Sequence, residues 1–263
     1  MTISNYIKQL LSYEEYSFSL DEILKETDKS EISVKRKLSR LIEKQQIVNL
    51  RKGFYLILTP RYSSVQKLPI QLYCEKLFKY LNSNYYLGFY SAAKIHGASH
   101  QQAQRDYVMT EKPKFIDIAK NAFDIRFFTT SNWSDKNIQI KKADAGTYKV
   151  SSPTLTIVDL IHYQTKLGGI SRMLATIEEL IEEIQEQDLV ELLSWYPYKS
   201  TLQRLGFFLE EFGADEIYQE KILLYIKLNK YYPVLLSPKS NQKPGAVDNK
   251  WKVDVNVKFE SDL

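Results

Sequence analysis

The sequence is poor in the residues from which most catalytic and metal sites are built. Of 263 residues, one is cysteine and three are histidine. A single cysteine permits no internal disulfide, and Cys74 sits beside Leu77, Phe78 and Leu81 at helical spacing, the setting of a core side chain rather than of a nucleophile. Gly-rich phosphate loops, GxSxG elbows, CxxC pairs and HExxH are all missing. His96 and His100 could share a helix face, but Gly97 lies between them and no carboxylate stands where a metalloprotease needs one. Asp159 and His162 have the spacing of an acid–base pair, and a structural hydrogen bond is the simpler use of it. The reading is therefore of a protein that is not an enzyme, with no catalytic residue, no metal and no cofactor. No stretch approaches the roughly 18 apolar residues of a membrane span, and MTISNYIKQL has no positive leader. A cytoplasmic protein without a membrane partner is expected.

Charge is unevenly spread. The formal net charge is +4, yet Lys29–Lys52 holds 8 basic and 2 acidic residues while Met1–Asp28 holds 2 and 6. Residues 59–149 carry 14 basic and 7 acidic groups, and 150–263 carry 12 and 17. Positive charge is thus focused on one short stretch, with a second, weaker excess following it. That second excess could touch nucleic acid or serve solubility alone.

The focused stretch is KSEISVKRKLSRLIEK, Lys29 to Lys44. At helical spacing Val34, Leu38, Leu41 and Ile42 fall on one side, and Lys29, Ser33, Arg36, Lys37, Arg40 and Lys44 on the other. With Lys35 added, this is the pattern of a helix with an apolar back and a cationic front that can enter a major groove, where arginine forks read guanine and lysines meet phosphates. A solvated surface helix is the bland alternative. The surroundings favour the sharper reading. Ile3, Ile7, Leu10 and Leu11 predict a first helix, Ser19-Leu20-Asp21-Glu22 has the capping-box spacing of a second, and Asp28-Lys29-Ser30 is a polar turn. After the basic helix, Ile47–Leu50 and Phe54–Leu58 are β-prone runs around Arg51-Lys52-Gly53, predicting a hairpin whose tip places Arg51 and Lys52 on phosphates. Together these make a winged helix-turn-helix.

The length suggests two domains. The expected division is 1–58 winged helix, 59–69 a Pro-bounded linker, and 70–263 a larger α+β domain. Within the last, the spacing predicts helices over 70–81, 91–96, from Ser152-Pro153, over 171–194 and over 200–211. Short strands are predicted at 106–109, 115–118, 125–129 and 138–141, with a β-prone tail near 251–257. Glu178, Glu179, Glu182, Glu183 and Glu186 alternate with Ile177, Leu180, Ile181 and Ile184, the wet face of an amphipathic helix unless it grips a basic partner.

Tyr85-Tyr86-Leu87-Gly88 running into Ser91-Ala92-Ala93, His96 and Gly97 is followed by Val150-Ser151-Ser152-Pro153, Thr156, Asp159-Leu160 and the Leu167-Gly168-Gly169 turn. This series, with the Leu205-Gly206-Phe207 step, resembles the C-terminal domain of AbiEi-type antitoxins. Proteins of that type begin with a winged helix, so the resemblance covers nearly the whole chain. It implies a type IV toxin–antitoxin (abortive infection, phage defence) system, in which the winged helix represses its own operon. The C-terminal domain would counter a nucleotidyltransferase-like toxin without a stable toxin complex. A helix-turn-helix reads dyad-related half-sites, so the expected DNA partner is an operator with inverted repeats upstream of the operon, occupied by two copies. No heptad seam marks a dimer helix, which leaves a monomer or weak dimer in solution. Two other classes remain. One is a ligand-sensing regulator without a toxin partner, with Tyr85, Tyr86, Phe89 and Tyr90 lining a pocket; the other is a nuclease, for which no convergent carboxylate cluster can be assembled.

Overall fold

The computed structural model describes residues 1–98, 105–228, 230–239 and 241–257. Thr2 opens α1 (Ile3–Ser12), its hydroxyl accepting from the Asn5 amide, and Ile3, Tyr6 and Leu10 turn inward. After β1 (Ser17–Ser19) comes α2 (Leu20–Glu26), started by the expected capping box: Ser19 Oγ accepts from the Glu22 amide at 3.1 Å and Glu22 Oε2 from the Ser19 amide at 2.6 Å. Thr27 donates to the Ile23 carbonyl behind it, and Ser30 caps α3 (Glu31–Glu43). Strands β2 (Ile47–Arg51) and β3 (Phe54–Ile57) form the hairpin, Gly53 taking φ +74° at the turn where a side chain would be strained. The order is helix, short helix, turn, helix, hairpin, as expected of a winged helix. β1 adds a third strand on the outer edge of β3; three residues are too few to show an alternating pattern.

The segment 59–69 is less of a linker than its prolines suggest. It forms the single turn α4 (Pro60–Ser63), buries Leu68 completely, and pairs Lys67 with Asp106 at 3.1 Å. A 3₁₀ turn (Ile70–Leu72) leads into α5 (Cys74–Leu81), which Asn82 ends in the left-handed conformation. β4 (Tyr85–Leu87) and α6 (Phe89–Ile95) follow, with Gly97 at φ +85° beyond the helix. Next come β5 (Asp106–Glu111), β6 (Ile118–Lys120), β7 (Phe123–Thr130), β8 (Ile138–Ala143) and β9 (Gly146–Ser151). The six-stranded sheet has the order β6-β7-β5-β4-β9-β8, mixed in direction: β5 and β7 run parallel, β6 and β7 antiparallel. The strand expected at 115–118 begins only at Ile118, and β9 was not anticipated.

Contacts group the described residues of Met1–Tyr86, Gln104–Thr130 and Ile140–Lys149 into one compact unit and those of Leu87–Ala103, Ser131–Gln139 and Val150–Leu263 into another. These units cut across the 1–58, 59–69, 70–263 division. In the first unit the helices and hairpin share a core of Ile3, Tyr6, Phe18, Ile23, Val34, Leu38, Ile47 and Ile57. A second aromatic cluster joins α5 to the sheet: Phe78 stacks on Tyr85 at 4.3 Å and meets Phe127 edge-on at 6.1 Å.

The second unit is largely helical. Its axis is α7 (Pro153–His162), buried from Pro153 to Ile161 and capped by Ser152, whose hydroxyl accepts from the Leu155 amide. A helix buried on all sides needs partners all round, and α6, α8 (Leu174–Glu182), α9 (Glu186–Leu193) and α10 (Lys199–Glu211) supply them. The segment expected as helix over 171–194 is thus two helices after a 3₁₀ turn. α11 (Glu216–Lys227) packs on α10, and β10 (Val234–Leu235) pairs in parallel with β11 (Val253–Asp254). Of the β-prone tail, only β11 is strand. The α+β class stands.

Candidate nucleic-acid interface

The back of α3 is sealed: Val34, Leu38 and Leu41 are at most 8% exposed. Ile42, expected to join them, is 38% exposed; at 100° per residue it lies at the margin of the buried arc, and the core is closed without it. The front carries Ser33, Arg36, Lys37, Arg40 and, at the C-cap, Lys44, all exposed and spread over an arc of roughly 100°; Lys29, also exposed, lies in the bend before the N-cap Ser30, outside the helix. Those five form a stripe. Lys35 lies outside it, on the flank, paired to Glu31 one turn back at 2.5 Å. The hydrogen bond and charge of Glu31 raise the Lys35 pKa.

The hairpin divides its two basic residues. Lys52 is exposed at the tip, its carbonyl accepting from Tyr80 Oη at 3.0 Å. Arg51 is a correction. Its guanidinium lies 5.4 Å from the ring centre of Phe115 and 5.9 Å from that of Phe127, and its Nη1 is buried without a hydrogen-bond partner. The bulge in β2 between Asn49 and Arg51 accompanies this inward turn. Arg51 packs the hairpin against aromatics. One cation missed by the sequence reading stands nearby: Lys120 Nζ, at the end of β6, is 3.4 Å from Asn49 Oδ1 on β2. Only the net positive charge of 59–149 hinted at it.

The remaining chemistry-bearing residues are occupied structurally. Burial pushes the Cys74 thiol up to about 12, and Tyr85 Oη lies 3.4 Å from its sulfur. Tyr85, Tyr86 and Phe89 are buried in packing and do not line the one described cleft. His96 Nε2 is 2.7 Å from the Ser151 carbonyl, while His100 falls outside the described residues. His162 bonds Thr201 through Nδ1 and lies tilted against Tyr198, ring centres 4.1 Å apart; burial, then Arg204 and Lys166, lower its pKa. Glu182 and Glu183, at the end of α8, are exposed beside buried Ile177, Leu180 and Ile181, whereas Glu186 opens α9. Among the described residues no group of His, Cys, Asp and Glu is placed to hold a metal ion, and no helix is long and apolar enough to cross a membrane.

The motif residues of the second unit form a buried polar network. Ser151 Oγ and Thr156 Oγ1 are 2.7 Å apart, and Thr156 also donates to the Ser152 carbonyl at 2.7 Å. Gly206 lets Trp251 pack flat on α10, since a Cβ there would lie 2.1 Å from the indole ring. These spacings record a packing solution.

Residues 86–211 match the family model of the AbiEi antitoxin C-terminal domain. No curated protein matches the sequence. Among solved structures, the crystal structure of the RV2827C protein from Mycobacterium tuberculosis is similar in fold, with a TM-score of 0.63 over 95% of this chain and 89% of that chain at 14% identity.

Proposed function

We propose, from the match of residues 86–211 to the AbiEi antitoxin C-terminal domain, that the chain is an antitoxin of the type IV toxin–antitoxin kind and also a sequence-specific DNA-binding repressor of its own operon. The observation carrying this is the exposed stripe of Ser33, Arg36, Lys37, Arg40 and Lys44 on a helix whose opposite face is buried, with Lys29 exposed in the turn that leads into it. In a major groove, Arg36 and Arg40 would read base edges while Lys29, Lys37 and Lys44 neutralise phosphates. Lys52 at the hairpin tip would reach the flanking backbone. Lys35, tied to Glu31, contributes long-range attraction more than a contact. The DNA partner is an operator with inverted repeats upstream of the operon, bound by two copies. The second function is to counteract a nucleotidyltransferase-like toxin in phage defence without catalysis or a lasting complex, in the cytoplasm.

Footprinting on the DNA upstream of its own operon tests the first part: two protected arms related by a dyad are expected, and a single asymmetric site contradicts it. Rescue of cells expressing the neighbouring toxin tests the second. One observation favours the alternative of a ligand-sensing regulator. A cleft of about 500 Å³ in the first unit is lined by Glu22 of the α2 cap, by Lys76 and Tyr80 of α5, and by Phe54 of β3. Operator affinity that changes with a metabolite, in a strain without the toxin, would support that reading.

A further inference from the structure

Helix α11 leaves an apolar stripe on the surface of the second unit. Ile217, Leu224 and Leu228 are 39, 67 and 72% exposed, and they fall within about 40° of one another around the helix. The opposite face is used, with Ile222 and Ile226 fully buried. On a third side α11 lies along α9: Tyr218 Oη donates to the Ile184 carbonyl at 3.1 Å and Lys221 meets Glu186 at 3.0 Å. Val190, on α9, is itself 48% exposed. Large apolar side chains gathered at one place on a surface mark an interaction site more often than scattered ones do.

The charges beside the stripe say what fits it. Glu216 and Glu220 flank its N-terminal half and Lys227 its C-terminal half; all three are exposed. A parallel copy of the helix would set acid against acid. An antiparallel copy sets Glu220 of each chain beside Lys227 of the other, brings the acidic start of one helix to the basic end of its mate, and places Leu224 on Leu224. We propose that α11 is a self-association surface, pairing antiparallel with α11 of a second copy of this chain about a dyad near Leu224. The contact is isologous, so it closes at two copies. Two helices of this length bury less than the roughly 1,000 Å² of a lasting interface. Association is therefore weak and concentration-dependent. The surface is independent of the DNA-binding reading, and it can be tested without DNA.

Sedimentation velocity of the full chain over a concentration series should show a sedimentation coefficient that rises toward the dimer. Glu220→Lys and Lys227→Glu should each abolish the rise, and the two combined should restore it, because the swapped charges are again complementary only in the antiparallel pair. Disulfide trapping with diamide fixes the geometry. Leu224→Cys should cross-link into a covalent dimer, whereas Glu216→Cys should not, its two copies lying about 24 Å apart along the pair, beyond disulfide reach. A wild-type chain that sediments as a monomer throughout overturns the proposal and leaves the stripe to a different protein. So does a double swap that fails to restore association, or equal cross-linking at both positions.

Discussion

Truncating Arg51 separates a packing arginine from a DNA-binding one. In Arg51→Ala the guanidinium leaves two rings, at 5.4 and 5.9 Å from their centres. A partly desolvated cation–π contact stabilises by about 1 to 2 kcal/mol, and the aliphatic stem adds some packing. Against this stands the buried Nη1 that finds no acceptor, whose desolvation costs part of that gain. The net loss should be about 1 kcal/mol, read as a lower urea midpoint at unchanged slope. Arg51→Leu, which keeps the apolar contact and sheds the unpaired donor, should lie nearer to wild type. In DNA binding the contrast reverses. Arg51→Ala should leave the slope of log K against log salt unchanged, while Lys52→Ala should flatten it by about one unit with stability altered by no more than about 0.5 kcal/mol. If Arg51→Ala flattens the salt slope and leaves the urea midpoint where it was, the inward placement of Arg51 is wrong.

Three further outcomes follow from the geometry. Gly206→Ala drives a methyl into the Trp251 ring, 2.1 Å from the nearest carbon, and should destabilise by about 2 kcal/mol or more in chemical denaturation; a neutral result refutes that packing. His162 has its pKa lowered below 6.5 by burial, then by Arg204 and Lys166, so the unfolded chain takes up the proton first. The stability this leaves intact above about pH 6.5 is lost as pH falls through the folded-state pKa, and His162→Gln should flatten that part of the stability profile; parallel profiles contradict it. The Cys74 thiol, pushed up to about 12 by burial, should ignore Ellman's reagent in the folded chain and react on unfolding, and prompt labelling of the native protein sinks that reading.

How much could be read from the sequence depended on how local the determinant was. The capping box at Ser19 and Glu22, the Ser152-Pro153 start of α7 and the apolar back of α3 are encoded within a few residues, and each appears where the spacing puts it. β1 escaped because its partner β3 is distant in sequence. Arg51 misled for the same reason: a basic residue at a hairpin tip looks like a phosphate ligand until Phe115 and Phe127, more than 60 residues away, are placed on it. Prolines 60 and 69 suggested a linker, but Leu68 and Lys67 tie that segment down. Ile42 shows the limit of a helical wheel, which orders residues around an axis without saying how wide the buried arc is.

The central claim, that the front of α3 reads operator DNA, rests on two side chains that can be removed without touching the core. Arg36 and Arg40 are exposed, so Arg36→Ala combined with Arg40→Ala should leave the unfolding curve unchanged. Titrated by fluorescence anisotropy on operator and on random DNA, the double variant should lose on the order of 1 to 3 kcal/mol per base-reading arginine on the operator and much less on random sequence, narrowing the ratio between them. Operator affinity equal to wild type, with the fold intact, would contradict it.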